Sequence, residues 1–265
     1  LAPSRPAAPV PDERAPAFPP SIGVVVVGDE ILSGKRADKH LAHAIATLGA
    51  RGLGVDWAHY VGDDRGRLTA LFRASFARGD LVISFGGIGA TPDDHTRQAA
   101  AAALSVPLER HPEAVAEIEA RFGADAYPHR VLMAEFPAGA SIVPNPFNRI
   151  AAFSVRDHHF LPGFPQMAWP MLDWLLATRY PDLVREAPVE RAMAVYDVGE
   201  SQLIPLMDEN VARFPRVRLF SLPAFLPDGG RRIELGVRGA AADCDEAYAH
   251  LEAGVDALGF RRGPL

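Results

Sequence analysis

The chain has 265 residues, enough for one large domain or two modest ones, and its 48% hydrophobic and 23% charged content is ordinary for a globular protein. A net charge of −6 and a pI of about 5.8 argue against sequence-independent binding to nucleic acid or to an anionic membrane surface. No apolar run approaches the ~20 residues of a membrane span. Cys244, the only cysteine, leaves no intramolecular disulfide framework and no cysteine-based zinc site, which fits a cytoplasmic protein.

Residues 1–20 carry seven of the 24 prolines and no apolar core, so they read as an irregular arm and not a secretory signal. Ile22 to Val27, IGVVVV, is a β-branched run read as a central strand buried on both faces. It ends in Gly28-Asp29-Glu30, and a helix is expected from about Gly34 to Leu48 with Gly49 as its C-terminal cap. A second strand, Gly54 to Val61, ends in Gly62-Asp63-Asp64, and a second helix runs from about Arg67 to Arg78. Leu81 to Phe85 is a third short apolar strand.

Three glycines follow within four residues, Gly86, Gly87 and Gly89. Thr91-Pro92-Asp93-Asp94 reads as a helix start, with Thr91 as N-cap, Pro92 at the first helical position and the helix continuing to Leu104. Strand, glycine turn and helix N-terminus together make an anion site, because free backbone N–H groups converge with the positive end of the helix dipole. Acids in a first turn also stabilise a helix by about 0.3–1 kcal/mol each with no other role.

Three strand–helix units in succession predict a parallel sheet, whose strands all end on one edge. Each strand ends in a glycine-plus-acid loop, so six carboxylates (Asp29, Glu30, Asp63, Asp64, Asp93 and Asp94) share the rim where open α/β sheets bind ligands. Crowded acids raise one another's pKa unless a cation compensates, and Mg²⁺, held by one or two carboxylates plus water and substrate phosphate, suits them.

GDEILSG at 28–34, VGDD at 61–64 and GGIGATPDDHT at 86–96 resemble the molybdopterin-binding (MoaB/MogA-like) domain, in the form found in the N-terminal part of CinA proteins. Ala90 replaces the usual proline of the third motif. Asn145-Pro146 and Phe153 match a later family segment whose Gly-Thr pair and second glycine are absent here, and Arg149 is a candidate phosphate contact in that altered loop. Leu161 to Met167 resembles a further family turn, and His158 and His159 just before it are read as turn residues, not ligands.

A helix from Pro165 to Ala177 closes the first domain, and residues 178–190 read as a linker. Beyond it lie a strand at 192–196, a helix to about Arg213, a strand at 217–222, a turn at Asp228-Gly229-Gly230, a strand at 231–238 and a helix at about 243–258. The expected fold class is α/β: a three-layer parallel-sheet domain at 21–178, then a small α+β domain at 190–262 that resembles a KH-like domain. No GXXG clamp with basic residues follows, so RNA binding is not expected.

The resemblance implies metal-dependent hydrolysis of a dinucleotide pyrophosphate, of the ADP-ribose or FAD type. Mg²⁺ or Co²⁺ would be held by Asp64 and Asp94 with help from Glu30 or Asp93, and Gly28, Gly86, Gly87, Gly89 and Thr91 would line the phosphate site. Molybdopterin binding or adenylyl transfer in molybdenum-cofactor biosynthesis is the alternative that it implies, and the altered loop at 148–152 supports a third, a non-catalytic nucleotide-binding module. A homo-oligomer is implied too, and the longer relatives' C-terminal amidase is expected to be absent from a chain that ends at 265.

Overall fold

β1 (Ile22–Val27) is buried along its whole length and opens the first unit's sheet, in a unit that runs to Val184. The structure, a computed structural model, describes residues 19, 21–226 and 229–265; apart from Pro19, the proline-rich arm lies outside the described residues. After β1 come α1 (Asp29–Leu32), α2 (His40–Gly49), β2 (Trp57–Val61), α3 (Arg65–Arg78), β3 (Leu81–Phe85), α4 (Thr96–Leu104), β4 (Leu108–Arg110) and α5 (Pro112–Phe122). β5 (Glu135–Pro137), β6 (Ser141–Val143), β7 (Ala152–Val155), β8 (His158–Leu161) and α6 (Pro165–Thr178) complete it.

The main sheet has the order β2-β1-β3-β8-β7-β6. Its first four strands are parallel and the β8-β7-β6 edge is antiparallel. Alternation along β1 builds the three layers. Val24 and Val26 pack into a core with Ala44 and Leu48 of α2 and Met171, Leu172 and Leu175 of α6. Val25 and Val27 face a second core made with Leu68 and Phe72 of α3, Ala99 of α4 and Ile118 of α5. Neither core can form without helices on both faces, which is why the strands read as continuous apolar runs.

Two helix starts differ from the sequence reading. The helix expected from Gly34 begins at His40, because Gly34 turns the chain at φ +73° and the Asp38 carboxylate accepts hydrogen bonds from the N–H groups of His40 (2.7 Å) and Leu41 (3.1 Å). The helix expected from Pro92 begins at Thr96, because the Asp94 carboxylate folds back to accept from the Thr91 N–H (2.9 Å) and hydroxyl. A short acidic side chain that bonds its own backbone competes with helix initiation.

His158 and His159 are not turn residues: both are buried strand positions in β8. The strand sends one ring to each face. His158 Nε2 lies 2.7 Å from Ser75 Oγ, with its ring stacked on Phe76, whereas His159 lies 2.7 Å from both Ser154 Oγ and the Tyr180 hydroxyl. Burial, the largest cause for each, holds both imidazoles down to about 3.

The second unit, from Arg185, comprises β9 (Val189–Tyr196), α7 (Glu200–Arg213), β10 (Arg218–Phe225), β11 (Arg231–Gly239), α8 (Ala241–Ala257) and β12 (Arg262–Gly263). Its sheet is antiparallel, in the order β10-β11-β9-β12. Met193, Val195, Ile233, Leu235 and Val237 face Leu203, Leu251 and Val255 of the two helices, and Cys244 is buried there. Of the expected 228–230 turn, Asp228 lies outside the described residues; Gly230 closes the turn by accepting from the Leu226 N–H at 2.8 Å. Among the described residues no helix is long and apolar enough to cross a membrane.

Candidate functional site

The carboxyl ends of β1, β2, β3 and β8 meet at one rim, and a pocket of about 450 Å³ opens there. That volume is in the range of small-molecule sites. The loop after β3 forms its floor. Gly86 (φ +99°) and Gly87 (φ +68°) take backbone conformations that a side chain disfavours. Space is also lacking: a Cβ on Gly86 would lie 2.3 Å from the Val27 carbonyl oxygen, and one on Gly87 2.3 Å from Thr96 Oγ1. Thr96, fully buried, ties the loop down by donating from its hydroxyl to the Gly86 carbonyl and from its N–H to the Gly87 carbonyl, both at 3.0 Å.

The N–H groups of Gly87, Ile88, Gly89 and Ala90 have no acceptor among the described residues, whereas Thr91, expected to share in that cradle, gives its N–H to Asp94. Four donors at the end of a buried strand suit a phosphate. Arg97 fixes the far side of the loop. It is 3% exposed and donates to the carbonyls of Gly89 (2.6 Å), Glu135 (3.3 Å) and Leu132. Burial lowers the Arg97 guanidinium below its usual value, with Asp94 and Glu135 opposing.

The six rim carboxylates divide. Glu30, Asp63, Asp93 and Asp94 line the pocket. Asp29 and Asp63 brace the ends of β1 and β2, each accepting from the other's N–H, at 3.2 and 2.9 Å. Burial, ahead of repulsion from Asp29, Glu30 and Asp93, pushes the Asp63 carboxyl above the usual range. Asp64, expected as a metal ligand and catalytic residue, is not on the pocket wall; its carboxylate caps α3 by accepting from the Arg67 N–H at 2.8 Å. Arg149, expected as a phosphate contact, is also off the wall, since φ +65° turns its exposed side chain to pair with Glu117 at 2.7 Å. Gly28, Gly86, Gly87, Gly89 and Thr91 do line the pocket.

The remaining wall is apolar, from Ile88, Met133, Ile150, Phe164 and Met167. Asn145, 4% exposed, shapes that side: its carboxamide accepts from the Phe147 N–H (3.0 Å) and donates to the Ile150 carbonyl (3.1 Å). Arg36, which sequence reasoning passed over, is the one cation on the wall among the described residues. An isolated arginine in a polar loop carries no periodic or motif signal, so only its placement singles it out.

Among the described residues no three His, Cys, Asp or Glu side chains gather into a metal-holding group. The donors therefore do not form an all-protein cage. Mg²⁺ is held in a sparser style, by one or two carboxylates completed by water and substrate phosphate.

Residues 23–183 match the family model described as "Probable molybdopterin binding domain". A CinA-like protein of Anaeromyxobacter sp. (strain Fw109-5) is 32% identical over 270 residues, covering 93% of this chain and 66% of that protein. A CinA-like protein of Anaeromyxobacter dehalogenans (strain 2CP-C) is 31% identical over 199 residues, covering 71% of this chain and 49% of that one. The chain thus spans roughly half to two thirds of the length of these relatives. The crystal structure of the protein CinA, with unknown function, from Thermoplasma acidophilum matches with a TM-score of 0.55 at 28% identity, covering 62% of this chain and 99% of that one.

Proposed function

The chain belongs to the molybdopterin-binding domain family, in its CinA-like form, and on that footing we propose that the rim pocket hydrolyses the pyrophosphate of a dinucleotide such as ADP-ribose or FAD with a divalent metal. One observation carries the reading: four residues whose backbone N–H groups have no acceptor and four carboxylate residues line one pocket. A phosphate and carboxylates in one pocket repel each other, so a cation between them suits the pocket.

Asp94 and Asp63 are the leading ligands for Mg²⁺ or Co²⁺, with Glu30 and Asp93 beside them. The metal, when bound, supplies Lewis-acid polarisation of a phosphoryl oxygen and lowers the pKa of a bound water. The chain does the rest. The N–H groups of Gly87 to Ala90 hold one phosphate, and Thr91 keeps Asp94 oriented through two hydrogen bonds. The apolar wall of Ile88, Met133 and Ile150 shields one side from bulk water. Asp63 is held on the wall by the hydrogen bond that its carboxylate accepts from the Asp29 N–H at 2.9 Å.

A second reading, molybdopterin or its adenylylated form as ligand, draws on the family description and on the apolar wall, which suits a flat ring system. A homo-oligomer is proposed from family likeness, and sedimentation that gives a monomer at working concentration would overturn it. The hydrolase reading is tested with ADP-ribose and FAD, with Mg²⁺ or Co²⁺ and with EDTA, following AMP by chromatography. AMP should appear only with metal and be lost in Asp94→Ala. No AMP under any condition moves the weight to molybdopterin.

A further inference from the structure

A second pocket, also of about 450 Å³, adjoins the first. The two share walls at Val27, Glu30, Arg36, Gly163 and Phe164. Its own side is built from Ala37, Asp38, Lys39 and His40 at the start of α2, with the buried His40 ring stacked on Phe85 at 4.4 Å and held near the Gly163 carbonyl at 3.2 Å.

Arg36 stands at the junction. Its backbone is fixed, since its N–H donates to the Glu30 carbonyl at 3.0 Å. Its exposed guanidinium makes no hydrogen bond, ion pair or ring contact among the described residues. Most arginines of the first unit have partners: Arg78 pairs with Asp80, Arg110 with Glu135 and Arg149 with Glu117. An unpartnered guanidinium between two cavities, in a rim otherwise rich in carboxylates, suits an anionic group that presents two oxygens to its fork of donors. Phe164, 54% exposed and also shared, offers an apolar face beside it.

We propose that the two pockets are halves of one cleft, and that Arg36 binds the phosphate-bearing middle of a two-ended ligand whose ends lie one in each half. The inference rests on the reading above for the identity of the ligand, and adds a binding residue and a second subsite to it. A monophosphate with one organic end fills only one half. A phosphoanhydride with an organic group at each end fills both.

The test is equilibrium binding of ADP-ribose and AMP by titration calorimetry in EDTA, which prevents metal-dependent turnover and leaves Arg36 as the cation of the first pocket. Wild type should bind ADP-ribose about tenfold or more tighter than AMP. Arg36→Gln should weaken ADP-ribose by about tenfold and flatten its salt dependence, with Arg36→Lys recovering part of the loss. Ala37→Trp, which fills the second pocket, should bring ADP-ribose down to the affinity of AMP. Arg36→Gln with unchanged affinity, or Ala37→Trp weakening both ligands alike, overturns the proposal. If these differences hold but metal yields no AMP, the hydrolase reading falls and the cleft stands. If AMP is released with wild-type KM in both variants, the cleft falls and the hydrolase reading stands. Binding of neither nucleotide in EDTA overturns the cleft, and the hydrolase reading is then decided by AMP release with metal.

Discussion

Two Asp-Asp pairs follow two strands of the same sheet, and they end up in different roles. Asp63-Asp64, after β2, splits: Asp63 faces the pocket and Asp64 caps α3. Asp93-Asp94, after β3, stays together on the wall, because Asp94 bonds back to Thr91 and delays the helix to Thr96. The difference lies in the glycines. The β2 loop has only Gly62 and passes directly into its helix, whereas the β3 loop has three glycines and must be pinned by Thr96 and Arg97. The same dipeptide thus serves as a cap or as a site depending on how far the helix begins behind it.

The largest effect should come from unmaking the β3 loop. Gly86→Val meets both the positive φ and the Val27 carbonyl, so it should lower stability by about 3 kcal/mol or more and abolish ligand binding, read by chemical denaturation and calorimetry. Arg97→Met, which leaves buried carbonyls without their donor, should cost about 2–3 kcal/mol in the same denaturation series. A loop that tolerates either change would erase the contrast with the β2 loop.

Asp64→Ala sharpens the comparison: loss of the α3 cap should cost about 1 kcal/mol. A subtler effect concerns pH. His158 and His159 are held to about 3 when folded against about 6.5 when unfolded, so the unfolded state binds more protons between those values. Their contribution is fully present above pH ~6.5 and is lost as pH falls toward about 3. Between pH 6.5 and 5, where carboxylates contribute least, denaturation midpoints should drop, and His159→Gln should flatten the drop.

The fold was legible where composition alone forces burial. The runs Ile22–Val27 and Leu81–Phe85 are too short and too β-branched for a helix, and both are strands at the expected bounds. The β7–β8 hairpin was hidden because its histidines look polar; their burial rests on Ser75 and Tyr180, distant in sequence, and on Ser154 across the hairpin. At the site, the glycines announced the loop, but nothing local tells Asp63 from Asp64 or marks Arg36. Those distinctions arise from where a side chain points after packing, which a strand–loop pattern does not encode.

The most direct measurement compares metal-dependent AMP release from ADP-ribose by Asp63→Ala and Asp64→Ala side by side. Asp63→Ala should lose roughly 100-fold in kcat/KM, the scale of a lost charge-stabilising group. Asp64→Ala should stay within about threefold once its smaller stability loss is allowed for. The reverse order, with Asp64→Ala the inactive variant, would contradict the assignment of the pocket wall to Asp63.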